Sequence, residues 1–284
     1  MATKDFNISP YYDDYDSSKG YHRVLFKPSF AVQARELTQL QTILQNQVKH
    51  TTDANNGSAL IPGELIVDID ISYVALTTDL SSPDTITSII GTVIGNSDGV
   101  RAKVVAASAR TTLQISTDDT LTIWVSYLTS GTTTTTFASG DTLYKQTTGA
   151  YPTELDTTAT WNTVGKHGDA DNPSTVVGSG SVAQIRAGVY YVNGYAVEIV
   201  GQTLILDKYT TTPSYKIGFD VSESILTTTE DSTLTDNAVS STNYQADGAD
   251  RFKIALVLAK KSLTATTSEK FIEIAEVVNG KLHK

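Results

Sequence analysis

The chain has 284 residues, a formal net charge of −10, a pI near 4.8 and no cysteine. The missing thiols exclude a disulfide framework, thiolate catalysis and sulfur-based zinc sites, and the acidic balance lacks the basic footprint of a nucleic-acid binder, so no nucleic acid is expected as a partner. Hydrophobic residues make up 39% and charged residues 18%, and no apolar run approaches the roughly 20 residues that cross a bilayer, which predicts a soluble, core-forming chain without membrane insertion.

Residues 1–28 alternate rings with charge: Phe6, Tyr11, Tyr12, Tyr15, Tyr21 and Phe26 stand among Asp13, Asp14, Asp16, Arg23 and Lys27. Such a segment builds no core of its own. Pro10 and Pro28 favour extended backbone, and amphipathic rings are enriched in interface cores, so the segment reads as a docking arm carried by Tyr11, Tyr12, Tyr15, Arg23 and Phe26. It lies either on a neighbouring subunit or on the chain's own β-domain. The three Asp residues lack the glycine turn and distal Glu of a calcium loop, and no metal is expected there. No apolar stretch follows Lys4, so no signal peptide is expected and the chain stays in the cytoplasm where it is made.

Residues 29–50, SFAVQARELTQLQTILQNQVKH, form the one long helical pattern. Phe30, Ala34, Leu37, Leu40, Leu44 and Val48 recur at helical spacing, and Pro28 and Ser29 supply a start signal. Leu37, Leu40, Leu44 and Val48 are the predicted oligomer seam. The other face holds Gln33, Gln39, Gln41, Gln45, Asn46 and Gln47 where a solvated helix usually carries Glu and Lys. Amides that both donate and accept suit packing against copies of the same helix; the alternative is a single helix lying on the chain's own sheet.

Beyond the helix the period changes from 3.6 to 2. In GELIVDIDISYVAL, Leu65, Val67, Ile69, Ile71 and Tyr73 share one face, and Asp68 and Asp70 the solvent face. From Asp84 to Lys145 the segments TITSIIGTVIG, VRAKVVAAS, TLQIST, TLTIWVSYL and DTLYK read as short strands between turn signals. The fold class is therefore mainly β with one long helix near the N-terminus. An antiparallel main domain covers 51–83 and 146–284, and a small inserted β-barrel or sandwich covers 84–145. The run Thr132 to Thr136 fits pleated sheet. Trp124 and Tyr127 read as core and rim of the insert, or as its binding surface. Trp161 anchors an irregular loop in which His167, Asp169 and Asp171 alternate like weak metal ligands among ordinary turn residues. Asn193-Gly194 predicts a type I′ hairpin, and later strands follow in SYKIGFDVSESILT, DRFKIALVLAKKSL and KFIEIAEVVNG, with the loop TLTDNAVSSTNYQADGAD between the first two.

No catalytic constellation, phosphate loop or dinucleotide fingerprint emerges, and His22, His50, His167 and His283 lie in different segments. The blocks ISPYYDDYD, GYHRVLFKPSFAVQARELTQLQTILQNQ, GVYYVNGYAVEI, QTLILDKY, PSYKIGFDVSESI, DNAVSSTNYQADGADR and FIEI…VVNG together resemble a family of tailed-phage virion structural proteins catalogued as a domain of unknown function, with the weakest likeness in 84–145. The resemblance implies tail, baseplate or tail-fibre proteins, no enzymatic activity and no cofactor. It leads to the expectation of a late virion protein in the viral tail. The expected role is a baseplate or tail-fibre attachment adaptor, homotrimeric through the helix and docked by its arm on other tail or baseplate proteins. Longer members continue past this domain, whereas this sequence stops at Lys284, which favours anchoring over receptor binding. The alternatives are a receptor- or glycan-binding module of the tail using Trp124 and Tyr127, a neck or head fibre component, and a polysaccharide-degrading enzyme.

Overall fold

The computed structural model describes residues 6–56, 64–109, 121–146, 155–157, 159–165, 176–266 and 270–284. The predicted TLQIST strand and the His167, Asp169 and Asp171 set lie outside them. The chain is mainly β with one long helix near the N-terminus, as the pattern predicts. The strands are β1 (Tyr21–Leu25), β2 (Leu65–Ala75), β3 (Val93–Gly95), β4 (Arg101–Ser108), β5 (Thr122–Thr129), β6 (Thr142–Lys145), β7 (Asn162–Thr163) and β8 (Val177–Ile185). They continue with β9 (Gly188–Val192), β10 (Tyr195–Ile199), β11 (Gln202–Asp207), β12 (Tyr215–Leu226), β13 (Asp250–Ser262), β14 (Phe271–Val278) and β15 (Lys281–Leu282).

Two antiparallel sheets and a hairpin organise these strands. One sheet has the order β1-β13-β12-β14-β15, the other β11-β8-β2-β5-β4-β3-β6-β7, and β9 pairs only with β10. The β9–β10 turn has Asn193 and Gly194 both at positive φ, 49° and 85°, the geometry of the type I′ turn that Asn-Gly predicts. A shared core lies between the five-stranded sheet, the hairpin and the β8–β11 end of the larger sheet; Ala183, Ile185, Val197, Leu206, Phe219, Ile254 and Leu256 fill it. A second core gathers Ile94, Val104, Ile123, Phe137 and Leu143 of the inserted segment with Val74 and Leu76. The insert is nevertheless hydrogen-bonded into the main sheet, because β5 pairs with β2 from Ser72↔Val125 to Ala75↔Thr122.

Several local expectations are corrected. TITSIIGTVIG is not a strand throughout: Thr85 and Ser88 form a reciprocal capping box that starts a one-turn helix at Ile86–Ile89, and only Val93–Gly95 joins the sheet, since satisfied first-turn amides favour helix. Thr132, Thr133 and Thr134 lie in a loop rather than a strand, donating hydrogen bonds to the Asp98 carboxylate. Those bonds hold Asp98 far below the usual carboxylate range. The helix, α1, spans Ala34–Asn56, later at both ends than residues 29–50. Ser29 has φ 69°, outside helical geometry, and the start is set instead by Glu36, whose carboxylate accepts from the Gln33 amide at 3.1 Å, the return half of a capping box. At the far end the Thr51 and Thr52 hydroxyls bond back to Gln47 and Val48 carbonyls, and Lys49 pairs with Asp53 at 3.2 Å. Phe30 and Val32 thus precede the helix.

Candidate functional site

The predicted arm divides into two parts. From Asp13 onward it belongs to the chain's own fold: β1 forms the edge of the five-stranded sheet against β13, and Asp13, Asp14 and Tyr15 are tied to α1. The Thr42 hydroxyl donates to Asp13, Asp14 pairs with Arg35 at 3.0 Å and accepts from Gln39 at 2.8 Å, and Asn46 donates to the Tyr15 hydroxyl at 3.0 Å. Asp16 caps the turn at Ser18. These partners turn the carboxylates to different tasks, and among the described residues no cluster of potential metal ligands occurs. Tyr15 is half-buried, while Arg23 and Phe26 are exposed beside β1. Tyr11 and Tyr12 stand in the exposed portion with Phe6 and Ile8. Of the five predicted arm residues, Tyr15 is therefore tied into the fold, while Tyr11, Tyr12, Arg23 and Phe26 stay exposed.

The helix packs on its own fold by its polar face. Glu36 is fully buried and accepts from the Ala249 amide at 2.6 Å. Arg251, also buried, donates twice to Gln39 Oε1, at 3.0 and 2.7 Å, and once to the Ala249 carbonyl at 2.6 Å. Arg35 donates to Gln33 and to the Thr233 and Thr235 carbonyls of the loop before β13. Further along, the Gln47 amide behaves as a peptide group added to the edge of β10: its Nε2 donates to Ala196 O at 3.0 Å and its Oε1 accepts from Ala196 N at 2.8 Å. His50 meets Glu198 at 2.9 Å. Burial drives Glu198 upward, yet hydrogen bonds from Ser17, Asn46 and His50 prevail and hold it below its ordinary value. A small apolar cluster of Ile43, Val24 and Ala249, with Tyr15 and Leu40 against it, supports this face. The Gln-rich face predicted to meet copies of the helix is thus largely consumed within the chain, because buried amides and charges require fixed partners and the sheet supplies them.

The opposite face is apolar and open. Leu37 is 50% exposed, Leu44 57% and Val48 65%. Leu40, the remaining predicted seam residue, is half-buried against the Ile43 cluster, whereas Gln41 is exposed. At about 100° per residue, Leu37, Gln41, Leu44 and Val48 fall within about 60° of one another. Arg35, Gln39, Ile43, Asn46 and His50 centre on the opposite side. Every exposed residue from Ala34 to Val48 is uncharged: Ala34, Leu37, Gln41, Leu44, Gln45 and Val48. The helix therefore has the amphipathicity of a surface helix with its two faces exchanged.

The other predicted surface does not exist as drawn. Trp124 is fully buried with Tyr73 and Val182, and Gly180 faces its ring so closely that a Cβ there would lie 2.6 Å from Nε1. Tyr127 packs on the insert's core, across the sheet, with its hydroxyl accepting from the Phe137 amide at 3.1 Å. The two rings belong to different cores, so they cannot form one binding surface. The Gly-x-Gly of residues 178–180 was the signal for this, since glycine in a strand marks close approach. Asp68 and Asp70 are exposed on β2, as expected. Glu198, Ala249 and Arg251 were not anticipated as partners of the helix, nor Glu36 as its buried anchor.

Residues 9–79 and 155–284 match the family described as Domain of unknown function (DUF4815), and the chain belongs to that family. The match takes in β1, α1, β2 and the strands from β7 to β15, and leaves out β3 to β6. Searches of curated proteins and of solved structures returned no match. No helix among the described residues is long and apolar enough to cross a membrane.

Proposed function

We propose that this chain is a structural protein of a tailed-phage virion, a baseplate or tail-fibre attachment adaptor that self-associates through α1 and docks on a neighbouring tail protein through the aromatic stretch around Tyr11 and Tyr12. The homotrimer is the assembly proposed, made in the host cytoplasm and incorporated into the tail, and no reaction is assigned to it. The observation that carries the reading is the exposed stripe of Leu37, Leu44 and Val48 on a helix whose polar face is largely engaged within the chain. Apolar side chains left in water on a rigid element mark an interaction surface. The sequence blocks that resemble virion proteins supply the setting.

The test is the mass in solution by light scattering against 30.5 kDa for one chain. The wild type is expected at three times the chain mass and Leu44→Asp at the mass of one chain. Because Leu44 is 57% exposed and belongs to no core cluster among the described residues, circular dichroism of the variant is expected to match the wild type. A monomeric wild type, or a Leu44→Asp trimer, overturns the seam.

A further inference from the structure

We infer that the copies of α1 associate in parallel and in register, and that Gln41 is the residue that selects this arrangement. The inference rests on the self-association proposed above and adds its geometry. The occupant of the stripe is taken to be a second copy of this chain on grounds of charge. The chain carries −10, so copies repel over most of their surface, while the exposed face from Ala34 to Val48 bears no charge at all and lets like chains approach.

The register follows from the spacing of the exposed residues. Leu37, Gln41, Leu44 and Val48 are separated by four, three and four positions, the alternation of a heptad seam. The sequence-level seam placed Leu40 here, but Leu40 is turned toward the chain's own Ile43 cluster, and Gln41 occupies the seam in its place. Among the described residues the Gln41 side chain has no hydrogen-bond partner, in contrast to Gln39 and Gln47 on the buried side.

Two alignments overlap the stripe fully. In an antiparallel pair Leu37 meets Val48 and Gln41 meets Leu44, so the amide is buried against hydrocarbon with neither its donor nor its acceptor satisfied. In a parallel, in-register assembly Gln41 meets Gln41. An amide that donates and accepts can then close a ring in which each copy donates to the next. A buried unpaired amide disfavours the antiparallel form by roughly ten-fold or more. A single polar residue in an apolar seam is a known way to fix register at some loss of stability. All arms and β-domains then lie at equivalent positions round one axis, as a cyclic assembly requires.

The absence of cysteine makes the test direct. Leu37→Cys and Val48→Cys are made separately in the full chain, oxidised with diamide alone and as an equimolar mixture, and read on a non-reducing gel with one variant carrying a size tag. Parallel register predicts disulfide-linked dimers from each variant alone, and at least a roughly ten-fold deficit of the mixed species in the mixture. Cross-links confined to the mixture overturn the parallel arrangement. No cross-link in any sample, with a one-chain mass by light scattering, overturns the underlying self-association instead. In the Gln41→Leu background the trimer mass is expected to persist while mixed and like cross-links appear together; if selectivity survives, Gln41 is not the selector.

Discussion

The two faces of α1 differ in what holds them and in what they leave undone. On one face Glu36, Gln39, Gln47 and His50 are buried or half-buried and fully engaged with β10, β13 and the loop before β13. On the other, Leu37, Leu44 and Val48 leave half or more of their surface in solvent. Ordinary surface helices bury the second kind of face because hydrophobic area is the larger driving force. Here directional hydrogen bonds attach the helix, and a hydrogen bond contributes only when both partners are in place. The attachment is therefore specific and geometrically fixed, and the hydrophobic stripe stays exposed among the described residues.

The sharpest way to break this contrast is on the polar face. Glu36→Ala is expected to cost about 4 kcal/mol, because it strips the Gln33 and Ala249 amides of their acceptor and leaves Arg35 and Arg251 with less negative charge nearby. The midpoint of urea unfolding, taken at one protein concentration, reports it. A cost below about 1 kcal/mol would mean that the polar face is not what holds the helix. The next effect comes from two adjacent residues. Ile43 is 1% exposed in the small apolar cluster, and Leu44 beside it is 57% exposed. Ile43→Ala should cost about 3 kcal/mol, and Leu44→Ala no more than about 0.5 kcal/mol, both measured at a dilution where the chain is monomeric. Equal costs would mean that the stripe is packed within the chain.

Most of the strands were legible because period-2 alternation and turn residues are local. Asn193-Gly194 and the alternation in β13 needed nothing beyond their own neighbours. The existence of α1 was legible for the same reason. Its orientation was not, since the rule that an apolar face turns inward gives way where Arg251, Ala196 and Glu198 wait for its amides and Ala249 for the Glu36 carboxylate, and these partners lie far away in sequence. The start of the helix was missed because Glu36 caps it from inside, a signal weaker than Pro28-Ser29 on paper. Trp124 was open to two readings because a ring in a strand looks alike whether it faces a second core or solvent. The arm was half legible: its aromatic content is plain, but that residues 21–25 complete a sheet edge depends on β13, over 200 positions on.

The smallest effect expected is a pH dependence, and it probes the same attachment. His22, on β1, is buried beside Tyr195 and faces the Gln47 amide through Nδ1 at 3.3 Å. Its Nε2 has no hydrogen-bond partner among the described residues. Burial disfavours the imidazolium and lowers the pKa of His22, with the Glu198 charge opposing. A base whose folded value is depressed binds fewer protons in the folded chain than in the unfolded one. Its contribution is therefore complete above the ordinary histidine value of about 6.5 and is lost as pH falls through that value. Protonation also turns Nδ1 from an acceptor into a donor, which sets it against the Gln47 Nε2–H that holds β10. Urea midpoints measured at about pH 7.5, 6.5 and 5.5 should decline in the wild type and decline less in His22→Phe. Carboxylates such as Glu198, held below their ordinary range, act only at lower pH, so the two effects separate. Equal slopes in the two proteins would place the titration elsewhere and leave Gln47 anchored independently of His22.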